Sequence, residues 1–205
     1  RARALQWLHF PDELADAELG RQRLALDECV GLQLSIQQRR QRLLANATGL
    51  PCAGNNQLIK PFLAQLGFTL TAAQTKVLRE LRHDLASGRP MRRLLQGDVG
   101  SGKTAVAACA ALMAIESGHH VALMAPTEIL AEQHSQTFRR WLDPLGVPVR
   151  LRTSSHKEES GGPELPLHGT RNTEHVSLTI GTHALLESAV AFDNLGLVII
   201  DEQHK

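Results

Sequence analysis

The sequence predicts an α/β protein in which a parallel sheet is flanked by helices and is preceded by a helical segment. One observation behind this prediction is that short apolar runs alternate with helix-like segments from Thr69 onward, which is the pattern of strands joined by right-handed crossovers. Another is that two of these runs, Val121–Ala125 and Leu197–Ile200, are apolar throughout, as strands covered on both faces should be. The composition agrees, since 205 residues with 42% hydrophobic and 21% charged side chains suit a soluble globular chain.

The stretch from Trp7 to Ala45 is predicted to be helical, with a start signal at Pro11-Asp12. Apolar residues recur along it at roughly helical spacing, while several arginines are available for the solvent face. The recurring apolar residues are Leu24, Leu32, Ile36 and Leu43. We interpret the stretch as an amphipathic packing helix rather than a helix that grips nucleic acid.

A turn-rich segment from Thr48 to Asn56 follows this helix and is predicted to be a boundary. The predicted helices beyond it are Ala72–Ser87, Lys103–Ser117 and Ile129–Leu142. The predicted strands are Arg93–Gln96, Val121–Ala125, Val147–Leu151, Val176–Ile180 and Leu197–Ile200. His156–Thr173 combines glycines and prolines without apolar periodicity, and we predict an irregular surface loop there. We therefore expect a helical connector over residues 1–68 and an α/β region over residues 69–205.

Composition also limits the classes of function. The net charge is only +1, so composition by itself does not indicate the basic surface that many nucleic-acid-binding proteins carry. The sequence has no uncharged apolar run long enough to span a membrane, and its first residues lack a signal-peptide pattern. A cytoplasmic location is the expectation that follows.

The cysteines and histidines do not form a recognisable metal site. Cys29, Cys52 and Cys109 are far apart in sequence, which favours reduced and mostly packed thiols over a disulfide or a zinc site. The 10 histidines show neither H-E-x-x-H nor H-x-H spacing. We expect them to be solvated or to form hydrogen bonds.

The strongest local signal is a glycine-rich loop that fits the pattern G-x-x-x-x-G-K-[ST]. Its residues are Gly97, Asp98, Val99, Gly100, Ser101, Gly102, Lys103 and Thr104. Glycines allow backbone conformations that are closed to other residues, and they bring several N–H groups around phosphate oxygens. Lys103 is placed to neutralise the β and γ phosphates of a nucleotide, and the Thr104 hydroxyl to ligate Mg²⁺. The helix predicted from Lys103 points the positive end of its dipole at the same anion.

An acidic pair follows the last predicted strand, roughly a hundred residues after the glycine-rich loop. Asp201 and Glu202 stand at the carboxyl end of this strand, where ligands of parallel α/β sheets bind. Mg²⁺ prefers an octahedral oxygen shell, so Asp201 suits it directly or through water. Glu202 is positioned to orient the water that attacks the γ phosphate. We therefore expect the pair to be the second half of a nucleotide-hydrolysing site, with Lys103, Asp201 and Glu202 as its catalytic residues.

Several segments together resemble the RecG family, which are bacterial ATP-dependent DNA helicases of superfamily two. Asp201-Glu202-Gln203-His204 is similar to the DEAD/DEAH box of that superfamily. The segments closest to the RecG family are 91–96 leading into the glycine-rich loop, 124–134, 181–185 and 195–204. Leu8-His9-Phe10-Pro11 and Leu32-Gln33-Leu34 resemble the helical connector after that family's wedge domain. The resemblance implies a P-loop NTPase (RecA-like) fold, ATP and Mg²⁺ as cofactors, and branched or forked duplex DNA as partner.

The resemblance also implies roles for individual residues. Gln74 matches the glutamine that contacts adenine in the family. Two segments match motifs that contact the DNA sugar-phosphate backbone, which fits loops at the carboxyl ends of strands. These segments are Pro126, Thr127 and Glu128, and Gly181, Thr182 and His183. Gln203 and His204 would couple the nucleotide state to the DNA contacts. The family further implies a monomer that works in the bacterial cytoplasm, at the nucleoid, in recombination and repair.

The sequence also departs from the family pattern. Lys205 stands where the family continues its acidic box with arginine, and Thr153-Ser154-Ser155 matches a family Thr-Gly-Ser segment only loosely. A Thr-Ala-Thr-Pro segment, a second motor lobe and a complete wedge domain are absent from these 205 residues. We therefore expect a fragment of a longer helicase that covers the connector and most of the first motor lobe. Alone it should be inactive, since hydrolysis in such motors needs charge from the second lobe.

Three other readings compete with this one. The related transcription-repair coupling factor shares the P-loop and acidic box, but it typically carries Asp-Glu-Glu-His where this chain has Asp201-Glu202-Gln203-His204. A non-catalytic, truncated nucleotide- or DNA-binding module is disfavoured by the intact Lys103, Thr104, Asp201 and Glu202. A P-loop small-molecule kinase would carry neither this acidic box nor the Ala-Pro-Thr-Glu segment at 125–128.

Overall fold

A computed structural model describes residues 1–154, 176–186, 192 and 194–202 of the chain. These residues belong to two compact units, Arg1–Thr48 and Gly49–Lys205. Residues 49–68 thus belong to the second compact unit. The division at residue 68 into a connector and a motor lobe stays a prediction. The predicted loop over 156–173 lies outside the described residues. Within the described part of the chain, none of the helices combines the length and the apolar character needed to cross a membrane.

The first unit consists of two helices, α1 (Ala2–His9) and α2 (Leu14–Asn46). The predicted helix is confirmed from residue 14 onward, but its first residues belong to a separate helix. Pro11 explains the break, because proline has no N–H to donate and disfavours helical geometry at the residue before it, and Phe10 is indeed non-helical (φ −136°, ψ 64°). Glu13 and Asp16 then form a capping box that starts α2.

Close packing of α1 on α2 occurs at a glycine. A β-carbon at Gly20 would collide with the carbonyl oxygen of Ala4, so the missing side chain lets the two helices approach. The positions that predicted an apolar packing face on α2 are largely open to solvent, with Leu32 62% and Ile36 47% exposed. The packing role of that face therefore stays a prediction.

The second unit contains a parallel sheet with helices around it. Its helices are α3 (Ile59–Gln65), α4 (Ala72–Ala86), α5 (Lys103–Glu116) and α6 (Glu128–Leu142). Its strands are β1 (His120–Met124), β2 (Val149–Arg152), β3 (Leu178–Gly181) and β4 (Leu195–Ile200). Short 3₁₀ turns cover Asp143–Leu145 and His183–Leu186. The strand order is β2-β3-β1-β4 and every pair is parallel, which confirms the predicted α/β class.

The core lies between the central strands and α5. Val121 of β1 and Leu178 of β3, which are register partners, are fully buried. Helix α5 has ten buried residues, several of them alanines such as Ala108 and Ala111, and small side chains let a helix lie close to a sheet. Since α5 packs against both β1 and β4, its first turn is held near the carboxyl ends of these strands.

The predicted strand Arg93–Gln96 is wrong, because residues 91–98 have no regular secondary structure. Leu94 is 78% exposed, and the Arg93 guanidinium pairs with Asp84 and Glu80 of α4. A strand needs a neighbour to satisfy its backbone groups, and in the described ranges the edge strand β4 pairs only with β1. Val198 and Ile200 on β4 are 53% and 47% exposed. The apolar pattern alone was therefore not sufficient, since residues 93–96 pair with no strand of the described sheet.

Helix α3 was not predicted, and it is anchored by a carboxylate from another helix. Glu116, the last residue of α5, accepts four backbone N–H groups at the start of α3. The donors are Asn55, Asn56, Leu58 and Ile59, at 2.5 to 3.0 Å. A carboxylate at a helix N-terminus satisfies amides that have no partner within the helix. The end of the predicted turn-rich boundary, Asn55 and Asn56, is thereby ordered by a residue about 60 positions later in the chain.

Candidate nucleotide site

The glycine-rich loop begins at residue 97 and leads directly into the first turn of α5. Gly100 and Gly102 have φ angles of +80° and +79°, a left-handed conformation that side chains disfavour. Gly102 is the N-cap of α5, and its carbonyl accepts the N–H groups of Ala105 and Val106. The loop residues 97–101 are exposed. An exposed loop with two left-handed glycines at a helix N-terminus is a suitable cradle for a phosphate.

The Lys103 side chain lies across this loop. Its Nζ donates to the carbonyl oxygens of Gly97 and Asp98 at 2.7 and 2.9 Å. An ammonium group held at the rim of the loop can exchange these two carbonyls for phosphate oxygens without a large movement of the backbone. Thr104 follows on the first turn of α5 and is half-buried. The residues present therefore fit a nucleotide phosphate with its Mg²⁺.

Gln74 contacts the loop directly. Its Nε2 donates to the Ser101 carbonyl at 2.8 Å, and its Oε1 accepts the Thr71 N–H at 2.9 Å. The Thr71 hydroxyl in turn accepts the Gln74 N–H, which completes a capping box at the start of α4. A β-carbon at Gly102 would collide with Gln74 Nε2, so the side chain also fits closely against the loop. The structure thus places Gln74 beside the P-loop, and its contact with adenine stays a prediction.

A cavity of about 480 Å³ lies beside α4 and starts at Thr75, the residue that follows Gln74. Thr75 and Phe68 line it together with apolar residues of α3, α4 and α5. Arg82 also lines it and donates from Nη2 to Asn56 Oδ1 at 2.6 Å, while its buried Nε has no partner among the described residues. The cavity therefore offers an apolar wall, an aromatic ring and a planar cation beside the helix that carries Gln74.

Asp201 and Glu202 directly follow β4, as predicted. The Asp201 N–H donates to the Met124 carbonyl of β1 at 2.9 Å. Its carboxylate is also held, because Oδ1 accepts the Glu202 N–H at 3.0 Å and Oδ2 is 2.7 Å from Nε2 of His134. Glu202 has a φ angle of +50°, which is uncommon for a residue with a side chain. The carboxylate of Asp201 is thus oriented by the N–H of the next residue and by His134 of α6.

The two halves of the site are joined through the fold rather than by direct contact. Among the described residues, no hydrogen bond or ion pair links Lys103 or Thr104 to Asp201. Both groups are positioned by the layer that α5 forms with β1 and β4. A phosphate and a metal ion bound between the Lys103–Thr104 turn and Asp201 would connect the two halves.

The two segments predicted to contact DNA lie side by side. Pro126–Glu128 follows β1 and Gly181–His183 ends β3, and the Ala125 N–H donates to the Gly181 carbonyl at 2.8 Å. Thr127 is exposed and caps α6, since its Oγ1 accepts the Leu130 N–H at 3.3 Å. His183 is exposed, whereas Thr182 is only 8% exposed. The predicted coupling residues Gln203 and His204 lie outside the described residues.

His134 is the site residue to which sequence reasoning assigned no role. It lies within the segment 124–134 that resembles the RecG family, but 67 residues separate it from Asp201. Local patterns cannot report such a contact, because it depends on how α6 packs beside the end of β4.

Comparison of the sequence with known proteins identifies its family. Residues 71–205 match the DEAD/DEAH box helicase family. The match begins at the capping residue of α4 and includes the glycine-rich loop, both segments predicted to contact DNA and the acidic box.

Individual relatives are similar over nearly the whole chain. The ATP-dependent DNA helicase RecG of Synechocystis is 43% identical over 202 residues, which is 98% of this chain and 24% of the relative. RecG of Acidithiobacillus ferridurans is 48% identical over 194 residues, 90% of this chain and 26% of the relative. RecG of Escherichia coli K12 is 44% identical over 212 residues, 98% of this chain and 30% of the relative. These similarities confirm the resemblance that the motifs predicted, and the chain spans about a quarter to a third of these relatives.

Proposed function

Because the chain belongs to the DEAD/DEAH box helicase family, we propose that it forms the ATP-binding part of a DNA helicase that remodels branched DNA. Stalled forks and Holliday junctions, in recombination and repair, are the substrates we propose for the whole protein. The observation that carries this proposal is that the acidic pair and the two segments predicted to contact DNA converge at the carboxyl ends of the strands. Asp201 hydrogen-bonds to the last residue of β1, and the two segments predicted to contact DNA begin just after the end of β1 and at the last residue of β3.

The glycine-rich loop holds the nucleotide in this proposal. Its exposed N–H groups and the N-terminus of α5 bind the phosphates, and Lys103 moves its ammonium from the carbonyls of Gly97 and Asp98 to the β and γ phosphates. Thr104 and Asp201 hold Mg²⁺, which when bound offsets the negative charge of the phosphates. Glu202 orients the attacking water toward the γ phosphate.

Gln74 recognises the base in the same proposal. What supports this role is its contact with the Ser101 carbonyl and the cavity that starts at Thr75 and includes the Phe68 ring. An apolar cavity beside a fixed amide offers stacking and directional hydrogen bonds together, which is the usual composition of a ligand pocket.

The proposed DNA interface is formed by Pro126–Glu128 and Gly181–His183. What supports it is that both segments lie at the carboxyl ends of neighbouring strands, with Thr127 and His183 exposed. Backbone N–H groups and hydroxyls on such loops suit phosphate oxygens, which position a protein on DNA without reading its sequence. Gln203 and His204 are proposed to couple this interface to the nucleotide. We also propose that the protein works as a monomer in the bacterial cytoplasm, at the nucleoid, and that residues 1–68 connect this lobe to a wedge domain.

Two substitutions in the full-length protein test the proposed function. Lys103→Ala should abolish DNA-stimulated ATP hydrolysis, because the phosphates lose their neutralising cation. Glu202→Gln should still bind ATP but not cleave it, because the attacking water loses its base. Lys60→Ala on the exposed side of α3 is a matched control that removes a lysine away from the loop, and it should hydrolyse ATP normally.

The substrates are tested by measuring ATP hydrolysis with linear and branched duplex DNA. Stronger stimulation by branched DNA supports the proposal, whereas stimulation only in the presence of RNA polymerase would favour a transcription-coupled translocase. Retained turnover in Lys103→Ala would show that the loop has been assigned wrongly, and a phosphorylated small-molecule product would indicate a kinase.

A further inference from the structure

The contact between His134 and Asp201 joins two parts of the site that the proposed mechanism treats separately. His134 lies on α6, whose first residue, Glu128, belongs to the proposed DNA interface, and Asp201 is the proposed Mg²⁺ ligand. Nε2 of His134 is 2.7 Å from Oδ2 of Asp201, and the two side chains are 18% and 37% exposed. A carboxylate that binds Mg²⁺ is ionised and can only accept hydrogen bonds, so Nε2 of His134 is the donor in the metal-bound state.

The imidazole ring is held in place by packing. It packs against the Phe138 ring in a T-shaped arrangement, with ring centroids 6.4 Å apart and an interplanar angle of 73°. Phe138 is fully buried and packs in turn against Trp141 with centroids 6.0 Å apart. Because His134 and Phe138 are four residues apart on α6, they lie on one face of the helix. The imidazole therefore has little freedom to turn away from Asp201.

Asp201 is held from both sides as a result. Oδ1 accepts the N–H of Glu202 and Oδ2 accepts the N–H of His134, so rotation of the carboxylate would break one bond or the other. Each oxygen keeps a further lone pair for a metal ion or its water. Partners that orient a metal-ligating carboxylate in this way affect metal affinity by about 10–100-fold.

We propose that His134 is a positioning residue, which orients the Asp201 carboxylate toward Mg²⁺ and ties that orientation to the position of α6. This inference rests on the proposed function, because it takes Asp201 as the Mg²⁺ ligand. Helix α6 begins at Glu128, so His134 lies about 9 Å along its axis from the proposed DNA contacts. A rigid helix of this length transmits a displacement of its first turn to the imidazole. DNA bound at residues 126–128 thereby acts on the metal ligand through one hydrogen bond.

The test uses the full-length protein with two substitutions at this position. His134→Leu removes the donor and keeps the bulk, while His134→Gln keeps an N–H donor near the position of Nε2. His119→Leu is the matched control. His119 directly precedes β1, at the amino ends of the strands, and makes a 2.8 Å hydrogen bond to Asn194 there. Mn²⁺ binding is measured by electron paramagnetic resonance with a non-hydrolysable ATP analogue, and analogue binding is measured separately in EDTA.

We expect His134→Leu to weaken Mn²⁺ binding about 10–100-fold and to raise the Mg²⁺ concentration needed for ATP hydrolysis. Analogue binding in EDTA should not change, His134→Gln should recover most of the Mn²⁺ affinity, and His119→Leu should match the wild type. Stimulation of hydrolysis by branched DNA should fall in His134→Leu by a larger factor than the basal rate. A leucine variant with wild-type Mn²⁺ affinity overturns the positioning role, and an unchanged stimulation ratio overturns the link to α6.

Two further comparisons keep the test decisive. If thermal unfolding shows that His134→Leu does not fold, His134→Asn replaces it, because its shorter amide cannot reach Asp201 while that of His134→Gln can. Equal Mn²⁺ affinities of the asparagine and glutamine variants then overturn the proposal. If the wild type shows neither metal-dependent analogue binding nor DNA-stimulated hydrolysis, the proposed function itself fails. Normal wild-type behaviour with unaffected variants rejects only the role of His134.

Discussion

At the scale of single residues, Gly102 of the P-loop and Gly118 after α5 differ in what an added side chain would meet. Gly102 has a left-handed φ of +79°, and a β-carbon there would collide with Gln74 Nε2. Gly118 has a similar φ of +83°, but a β-carbon there would meet open space. The first position combines backbone strain with a steric requirement, and the second has the strain alone.

This difference predicts unequal effects of alanine at the two glycines. Gly118→Ala should lower the free energy of unfolding by about 1–2 kcal/mol, the cost of a left-handed alanine. Gly102→Ala should lower it further and should also weaken ATP binding, because Gln74 must leave the loop. Chemical denaturation and nucleotide titration of both variants measure the two quantities. Equal losses of stability would mean that Gln74 yields without cost.

The cysteines provide a second prediction at this scale. Burial raises the pKa of Cys109 from 9.0 to about 12, a rise that the charge of Arg82 only partly opposes. Burial also raises the pKa of Cys52, whereas Cys29 is exposed and all three thiols are free. At about pH 8 an alkylating reagent should therefore modify Cys29 in the folded protein and spare the other two, because the thiolate is the reactive form. Mass spectrometry after alkylation measures this, and rapid modification of Cys109 would contradict its burial.

The same shift predicts how stability depends on pH. The folded protein holds the Cys109 proton more tightly than the unfolded chain does, since its folded pKa is the higher one. The stability that this proton contributes is complete below pH 9.0 and is lost as the pH rises toward 12. Replacing Cys109 with alanine should remove this part of the pH dependence, as denaturation at several pH values would show.

At the scale of secondary-structure elements, four predicted strands and three predicted helices of the α/β region are confirmed within a few residues. They could be predicted because each carries a local signal, such as the continuous apolar run of β1 or the capping threonines before α4 and α6. The strand at Arg93–Gln96 was predicted on the same signal and is wrong. A strand depends on a neighbour, and its own residues do not say whether that neighbour is available.

Helix α3, in contrast, was not predicted and is present, because a contact from outside the helix stabilises it. Its first amides are bound by Glu116 from α5, so its formation depends on a distant residue. Glu116→Gln should lower the free energy of unfolding by at least about 1.5 kcal/mol, because hydrogen bonds to a charged acceptor are lost. Glu132→Gln on α6 is the control, since the Glu132 side chain makes no hydrogen bond or ion pair among the described residues, and it should have little effect. Hydrogen exchange should show faster exchange at residues 55–59 in the Glu116 variant alone.

At the scale of the whole molecule, the edge strand β4 and the exposed residues around the P-loop limit the activity that we expect of residues 1–205 alone. Val198 and Ile200 of β4 are exposed, and hydrolysis in helicases of this kind takes charge from a second lobe. Purified residues 1–205 should therefore bind ATP weakly and should not unwind branched DNA. The full-length protein, in contrast, should bind ATP and unwind branched DNA. A strand-separation assay with equal amounts of the two proteins measures this. Unwinding by residues 1–205 would show that a second lobe is not required.

The sequence by itself determined the α/β class, the P-loop, the acidic pair and the family resemblance, because each depends on residues close together in the chain. Glycine spacing, capping residues and apolar runs act through local geometry, which the order of residues specifies directly. The tertiary structure alone decided that Gln74 contacts the P-loop, that Glu116 anchors α3 and that His134 holds Asp201. These contacts join residues 27 to 67 positions apart, and only the packing of helices on the sheet brings such residues within hydrogen-bonding distance.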